Sequence, residues 1–272
     1  LVRSRRGRSP QYWIALSVAL ASIRIVGPGR AGQSFAQACE AVGLQVDLLA
    51  REAAVASAAS DVDVVLIATP DRAIAQVARA ISPGDAVVLH CSGATGLIPL
   101  AGHPRHGSIH PLMALPSAEV GATRLRDHGW FAVAGDPAAA QIVDLFGGQS
   151  FVVDDAKRAL YHATAAVSAN HLVALLGQVE RLADQVGVPV QAFLDLARGS
   201  FDDVVAHGAA AALTGPAARG DHTTLDAHRV ALPPSERGLY DTLVVAAQHL
   251  ATGHAGSDPA CTPAEESREN EG

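Results

Sequence analysis

Short uninterrupted apolar runs alternate with amphipathic stretches through the first half of the chain. Ile23 to Val26, Leu44 to Leu49, Val62 to Ala68, Ala86 to His90, Trp130 to Ala134 and Ser150 to Val153 read as strands, being short and rich in branched apolar residues. Helical patterns fill the gaps over Gln33 to Val42, from Pro70 to Ile81, and over Pro137 to Phe146. Strands without polar alternation, separated by helices, predict a parallel sheet covered on both faces. After Val153 the pattern is helical throughout: Lys157 to Val186, Val190 to Arg198, Phe201 to Leu213, Leu225 to Val230 and Glu236 to Leu250. The expected organisation is a doubly wound α/β domain over 22–153 and an all-helical domain over 154–251. An N-terminal extension, 1–21, and a disordered tail, 252–272, flank them.

The first strand runs straight into Gly27-Pro28-Gly29-Arg30-Ala31-Gly32. A strand, the spacing Gly-x-Gly-x-x-Gly and a helix form the dinucleotide fingerprint of a Rossmann-type domain. Gly27 suits the tight turn, Gly29 leaves room for a pyrophosphate, and Gly32 lets the helix lie close to the strand. The free N–H groups of the helix start favour phosphate. A tight strand–helix turn with no ligand is the plainer alternative. Just beyond the second strand, where an acidic residue would hold the ribose of NAD, stands Arg51, followed by Glu52. Arg51 and Arg30 favour the extra phosphate of NADP, with NAD still possible. Two solvent-exposed arginines would look the same in sequence. Thr69-Pro70 and Ser92-Gly93 follow the third and fourth strands, at carboxyl ends where open α/β sheets place ligands. Helix capping by Asp71 and Ser92 is compatible with that role.

Composition narrows the picture further. A chain of 272 residues, 49% hydrophobic and 17% charged, can bury a substantial core, and a net charge of −7 argues against a nucleic-acid surface. Cys39, Cys91 and Cys261 stand far apart, which fits a reducing cytoplasm without disulfides. The 12 histidines are scattered, so no metal site is expected. Arg3, Arg5, Arg6 and Arg8 before the apolar run Tyr12 to Ala21 read either as a loose extension or as a secretory signal. That run is too short to span a bilayer, and no membrane partner is expected.

Candidate chemistry gathers at two places. Gly107-Ser108-Ile109-His110-Pro111 delivers a histidine to a loop fixed by proline, where its near-neutral titration suits proton donation to a carbonyl oxygen. A structural histidine ordering the loop is the alternative. His103 and His106 look like solvent-facing loop residues. Lys157, the one lysine of the chain, opens the long helix and could meet a substrate carboxylate or supply a proton. At 100° per residue Lys157, Tyr161, Thr164 and Ser168 share a face, with His162 and Ala166 pointing away and Asn170 beyond them. Either face could line a substrate site. Arg219-Gly220-Asp221 reads as turn chemistry, with Arg219 and Asp221 either a local ion pair or reaching the cleft between the domains.

Several blocks together are familiar: the glycine loop, Ala68-Thr69-Pro70-Asp71, His90-Cys91-Ser92-Gly93, Ser108-Ile109-His110-Pro111-Leu112, Tyr161-His162-Ala163 with Ser168-Ala169-Asn170, and Leu213-Thr214-Gly215-Pro216 with Arg219-Gly220-Asp221. The chain resembles a family that joins a Rossmann-like domain to a helical domain of unknown function, within the 6-phosphogluconate-dehydrogenase-like superfamily. The resemblance implies an NAD(P)-dependent oxidoreductase that dimerises through its helical domain. Some members resemble alternative ketopantoate reductases, which implies hydride transfer to a small 2-keto acid. In the better-known ketopantoate reductases a catalytic lysine opens the second-domain helix, the place of Lys157, with an asparagine one turn on. Here that later position is Tyr161. The His-Pro loop is similar to that of prephenate dehydrogenases, where the histidine acts on the substrate hydroxyl. The candidate catalytic set is therefore His110, Lys157, His162 and Asn170. Action on another acid or an imine, and a non-catalytic NADP-binding sensor, are the competing functions.

Overall fold

The computed structural model describes residues 20–50 and 55–253. Arg51, Glu52, Cys261 and nearly all of the expected extension and tail lie outside the described residues. By density of internal contacts the chain divides into two compact units, one ending at Asn170 and one beginning at His171.

The first unit is built on seven strands: β1 (Ser22–Val26), β2 (Gln45–Leu49), β3 (Val64–Ile67), β4 (Val87–His90), β5 (His106–Pro111), β6 (Trp130–Gly135) and β7 (Gln149–Val152). Their order is β2-β1-β3-β4-β5-β6-β7. The first five run parallel, and β6 reverses against β5 before β7 pairs parallel to β6. Helices α1 (Arg30–Ala41), α2 (Asp71–Ala80), α3 (Ala118–Leu125), α4 (Ala138–Leu145) and α5 (Arg158–Ala166) connect or follow them.

The period of two along each strand sorts the core. Ile23, Ile25, Leu66 and Leu89 point to one face and pack with Phe35, Leu125, Phe131, Ile142 and Phe146. Val26, Val65, Ile67 and Val88 point to the other and pack with Ile74, Ala78 and Leu100. Two-sided burial is why β3 and β4 read as unbroken apolar runs.

Two elements differ from expectation. His110 lies in strand β5, opposite Ala132 of β6, and not in a loop. The polar letters His106, Ser108 and His110 masked this strand, since a glycine-containing segment with three polar residues lacks an apolar run. His103 is buried rather than solvent-facing, its Nε2 2.9 Å from the carbonyl oxygen of Ala78, and that oxygen accepts from it. His106 is half-buried, its Nδ1 2.7 Å from the His103 carbonyl oxygen.

The second unit holds α6 (Leu172–Val186), α7 (Val190–His207), α8 (Ala209–Ala212), α9 (Pro216–Arg219), α10 (His222–Ala231) and α11 (Pro234–Ala251). Within it the exposed Arg181 donates from Nε to the Glu236 carboxylate over 2.8 Å, and the buried Gln178 donates to the Glu236 carbonyl over 2.8 Å. Asp221 caps α10 through the Thr224 N–H, and no ion pair joins it to Arg219. Between Asp155 and Val186 the chain is helical for 32 residues, with a mean hydropathy of 1.2 in its most apolar window. Among the described residues this is the one helix that passes for a membrane span by length and composition. His162, Ser168, Asn170 and Gln178 along it are polar, and a buried helix or a helix packed on another chain passes the same test.

The glycine loop is set by contact with β3. Gly27 has φ +119, and a methyl group there would stand 2.6 Å from the Ala68 carbonyl oxygen. A methyl group on Gly32 would overlap the Gly27 carbonyl oxygen. Gly27→Ala is therefore expected to lower unfolding free energy by about 1–3 kcal/mol in denaturant titration, from left-handed strain and overpacking together. A variant as stable as the parent would contradict this close approach.

Candidate active site

The carboxyl ends of β1 and β3 adjoin where the strand order switches direction, which is where open α/β sheets bind ligands. Gly27 to Gly32 and Thr69-Pro70 stand there. Gly29, at the N-cap of α1, makes no side-chain cap bond, and the first intrahelical donor is Gln33 N–H to the Gly29 oxygen. The N–H groups of Arg30, Ala31 and Gly32 are thus left over at the positive end of a helix. Nothing stands within 4 Å of where a Gly29 side chain would begin. The Thr69 hydroxyl oxygen is buried without a hydrogen-bond partner. Free donors, open space and an orphaned hydroxyl fit a bound phosphate ester. Ala31 and Arg30 are exposed or partly so on the same turn.

The neighbouring carboxyl ends, of β4 and β5, carry the second half. His110 Nδ1 lies 2.7 Å from the Tyr161 hydroxyl of α5, with the two rings edge to face at 5.6 Å. His162, the residue after Tyr161, also packs edge to face on the His110 ring, at 6.1 Å. Adjacent helix residues thus both reach His110, so the two helix faces expected from periodicity converge on one strand residue. Tyr161 is held in turn by Phe151 of β7, at 5.9 Å. A methyl group on Gly93 would lie 2.7 Å from His110 Cε1 and 2.9 Å from His162 Cδ2. The Ser92-Gly93 turn therefore rests directly on both imidazoles. Ser92 Oγ donates to Thr95 over 3.0 Å and accepts the Thr95 N–H.

The cavity beside His110 has a volume of ≈ 240 Å³. It is bounded by the end of β5, through Met113 and Ala114, and by His162, Ala166, Ala169 and Asn170. Here the helix departs from regularity: Val167–His171 is a π-helical turn. The wider turn carries Ser168, Ala169 and Asn170 to the cavity wall, a use such turns commonly serve. Lys157 does not line this cavity. It is exposed, at the end of a 3₁₀ turn (Asp155–Lys157); its N–H donates to the Asp154 carbonyl over 2.9 Å, and its side chain makes no hydrogen bond or ion pair among the described residues.

Two supporting residues escaped sequence reading. Arg158 is 2% exposed; its Nε donates to Asp155 over 2.7 Å and its terminal nitrogen to Ser108 Oγ over 2.7 Å. Asp155 also accepts the Leu97 N–H, which fixes the turn after β4. This tie joins β5, that turn and the start of α5, which is why the first compact unit extends past the expected boundary near 154. The signal was present, an Asp and an Arg three apart, next to the rarer Lys157. His90 is fully buried; its Nδ1 accepts the Ser92 N–H and its Nε2 donates to the Gly96 carbonyl over 3.2 Å. A histidine closing an apolar strand was its only mark.

Burial pushes the imidazoles of His90 and His110 down to about 4, with His162 and Arg158 adding to the effect at His110. Burial raises the Tyr161 hydroxyl, which keeps its proton. Hydrogen bonding to Arg158 holds the Asp155 carboxyl below its usual range.

Residues 131–247 match the family DUF2520, a domain of unknown function. Its solved likenesses include protein TM1727 from Thermotoga maritima, at 24% identity and TM-score 0.64, covering 85% of this chain and 99% of that one. BF3122 from Bacteroides fragilis, named for NADP oxidoreductase chemistry, shares 16% identity at TM-score 0.71, over 84% of this chain and 98% of that one. A reductive aminase from Aspergillus terreus, solved with NADPH, cyclohexanone and allyl amine, shares 17% at TM-score 0.61, over 88% and 97%. No curated protein matches the sequence. The Rossmann-like sheet followed by a DUF2520 helical region is the pairing the sequence blocks predicted.

The two buried histidines make stability depend on pH. Unfolded, each takes a proton near pH 6.5; folded, each refuses it until about 4. Unfolding free energy should be highest above about pH 6.5 and fall steadily toward pH 4. His90→Gln should flatten part of that slope in urea titrations. A parent profile level across the window would contradict the neutral burial of both rings.

Proposed function

We propose that this protein is an NADP(H)-dependent reductase of a small compound with a polarised C=O or C=N bond. The observation that carries this reading is the pairing, in one compact unit, of a phosphate-fitting glycine loop with a neutral His110–Tyr161 couple at the adjacent strand end. The likeness to proteins named for NADP chemistry supports it.

The dinucleotide, when bound, supplies the hydride. The chain's own residues bind, orient and move a proton. The helix start at Arg30 and the Thr69 hydroxyl would hold its phosphate and ribose oxygens. Ser92-Gly93 brings this half of the site against His110 and His162. Tyr161 keeps its proton and can give it to the oxygen or nitrogen that becomes negative as carbon takes the hydride, while His110, with its N–H on Nδ1, steadies the resulting tyrosinate through the 2.7 Å bond until solvent returns the proton. Overall a ketone, one hydride and one proton give an alcohol. His162 and Asn170 contact substrate in the cavity. Lys157, exposed, has no place in this chemistry unless substrate extends to it.

Ketopantoate is the first 2-keto acid to test, because the sequence resembles alternative ketopantoate reductases. A second reading, reduction of an imine, is favoured by the likeness to the reductive aminase. NADPH consumption with ketopantoate and with cyclic imines distinguishes the two. Tyr161→Phe should cut kcat about 10²–10⁴-fold with tight NADPH binding retained, as expected for loss of a general acid. Unchanged kcat would remove Tyr161 from proton transfer. Lys157→Ala should leave kcat within about twofold of the parent, and a large loss would restore the lysine mechanism.

The helical unit supports a homodimer. Among its described residues only Ala183 and Leu225 are buried apolar side chains. Helix α7 buries no residue, while Leu196, Phe201 and Val205 are more than 60% exposed. A unit of this length without its own core is stable only when those faces are covered, and a second copy of the same unit is the commonest cover. Light scattering should give twice 27.9 kDa at micromolar concentration. A folded monomer would exclude the dimer.

A further inference from the structure

We infer that His90 is a positioning residue for the reaction: with both ring nitrogens it grips the turn 92–96 and seats the Gly93 backbone against Cε1 and Nε2 of His110. The inference rests on the reductase reading and adds a residue to it.

His90 ends β4 between Ile67 of β3 and Ser108 of β5, on the face of the sheet that Val88 also uses, and it is fully buried. The Ser92 N–H donates to its Nδ1 over 3.2 Å, so that nitrogen carries no proton. The ring proton is on Nε2, which donates to the Gly96 carbonyl over 3.2 Å. One neutral tautomer thus ties both ends of the turn. Accepting the N–H two residues on is the part an asparagine plays in an Asx turn. The imidazole adds a second grip, from a nitrogen farther out than an asparagine amide extends. The same turn is braced by the Thr95 N–H on Ser92 Oγ and by the Leu97 N–H on Asp155.

What the turn brings to the site is bare backbone. A methyl group on Gly93 would stand 2.7 Å from His110 Cε1, 2.8 Å from His110 Nε2 and 2.9 Å from His162 Cδ2. With its N–H on Nδ1 toward Tyr161, His110 has Nε2 as the nitrogen to which a further proton would add. The turn lies against that nitrogen and keeps water from one side of it. Burial is the main reason the ring stays neutral, so a turn that lifts away lets the ring charge. A charged ring would no longer be the neutral partner assigned to Tyr161.

The test compares two amide variants of the full-length protein. His90→Asn keeps an acceptor for the Ser92 N–H and loses the bond to Gly96. His90→Gln reaches toward Gly96 and gives up the Asx geometry at Ser92. Both remove the His90 charge, so a difference between them reports the turn. The other groups acting on His110 stay in place: Tyr161, His162 and Arg158 of α5, and Asp71 of α2. In nitrogen NMR, His110 should titrate near about 4 in the parent and in His90→Asn, and move toward about 6.5 in His90→Gln. With saturating NADPH and whichever carbonyl compound or imine the parent reduces, kcat should fall about tenfold in His90→Gln and be largely recovered in His90→Asn. A His110 titration alike in the parent and both variants overturns the inference, and so does an equal rise in both. An unchanged kcat in His90→Gln removes His90 from the reaction even where the titration moves. If His90→Gln does not fold, the parent decides: its Ser92 N–H should exchange slowly with solvent, and a Gly93 α-proton should show a close nuclear Overhauser contact to the His110 Cε1 proton. A fast-exchanging Ser92 amide, or no such contact, overturns the inference. A parent that binds no NADPH overturns the reductase reading, and the NMR comparison still decides whether His90 seats Gly93 on His110.

Discussion

The hydrogen bond between His110 and Tyr161 holds the site together. It joins a strand to the helix that follows the sheet, and it does so at the carboxyl edge, where ligands of such sheets lie. His110 cannot turn away, because His162 and the Ser92-Gly93 turn close on its ring from other sides. Tyr161 cannot swing out without losing Phe151. A neutral imidazole and a protonated phenol, locked 2.7 Å apart, carry no net charge until the phenol gives up its proton.

That pair depends on the tie beneath it. Among the described residues Arg158 is the largest fully buried side chain; Asp155 meets its Nε and Ser108 one terminal nitrogen, while Nη1 stands without a partner. Asp155 extends the tie to the turn after β4, and His90 anchors the same turn from the sheet. The chain thus uses one buried ion pair to fix three segments whose tips form the site. The glycine loop is fixed by a different means, contact of bare backbone with β3, which leaves its N–H groups free for a ligand.

Much of this was legible in the sequence, and the limits have physical causes. The glycine spacing, the buried strands β1, β3 and β4 and the helical second half announced themselves, because each is a local pattern. Strand β5 did not, since alternate residues of a strand can be polar when a helix such as α5 supplies their partners. The convergence of Tyr161 and His162 on His110 is a tertiary fact that helical periodicity alone argues against. Arg158 was hidden beside the chain's one lysine: rarity is a statistical signal, whereas burial with a countercharge is the physical one. The π turn at Val167–His171 has no signature that a 3.6-residue period can detect, yet it places Asn170 at the cavity.

A reductase in which the proton comes from a neutral pair has a direct spectroscopic mark. Nitrogen NMR of the His110 ring, assigned by comparison with a His110→Gln variant, reports its protonation and tautomer. With the ring buried against Tyr161, it should remain a single neutral tautomer on acidification from pH 8 and titrate only near pH 4. An imidazole that gains its proton near pH 6.5, as a solvated histidine does, would contradict the neutral His110–Tyr161 couple and the chemistry assigned to it.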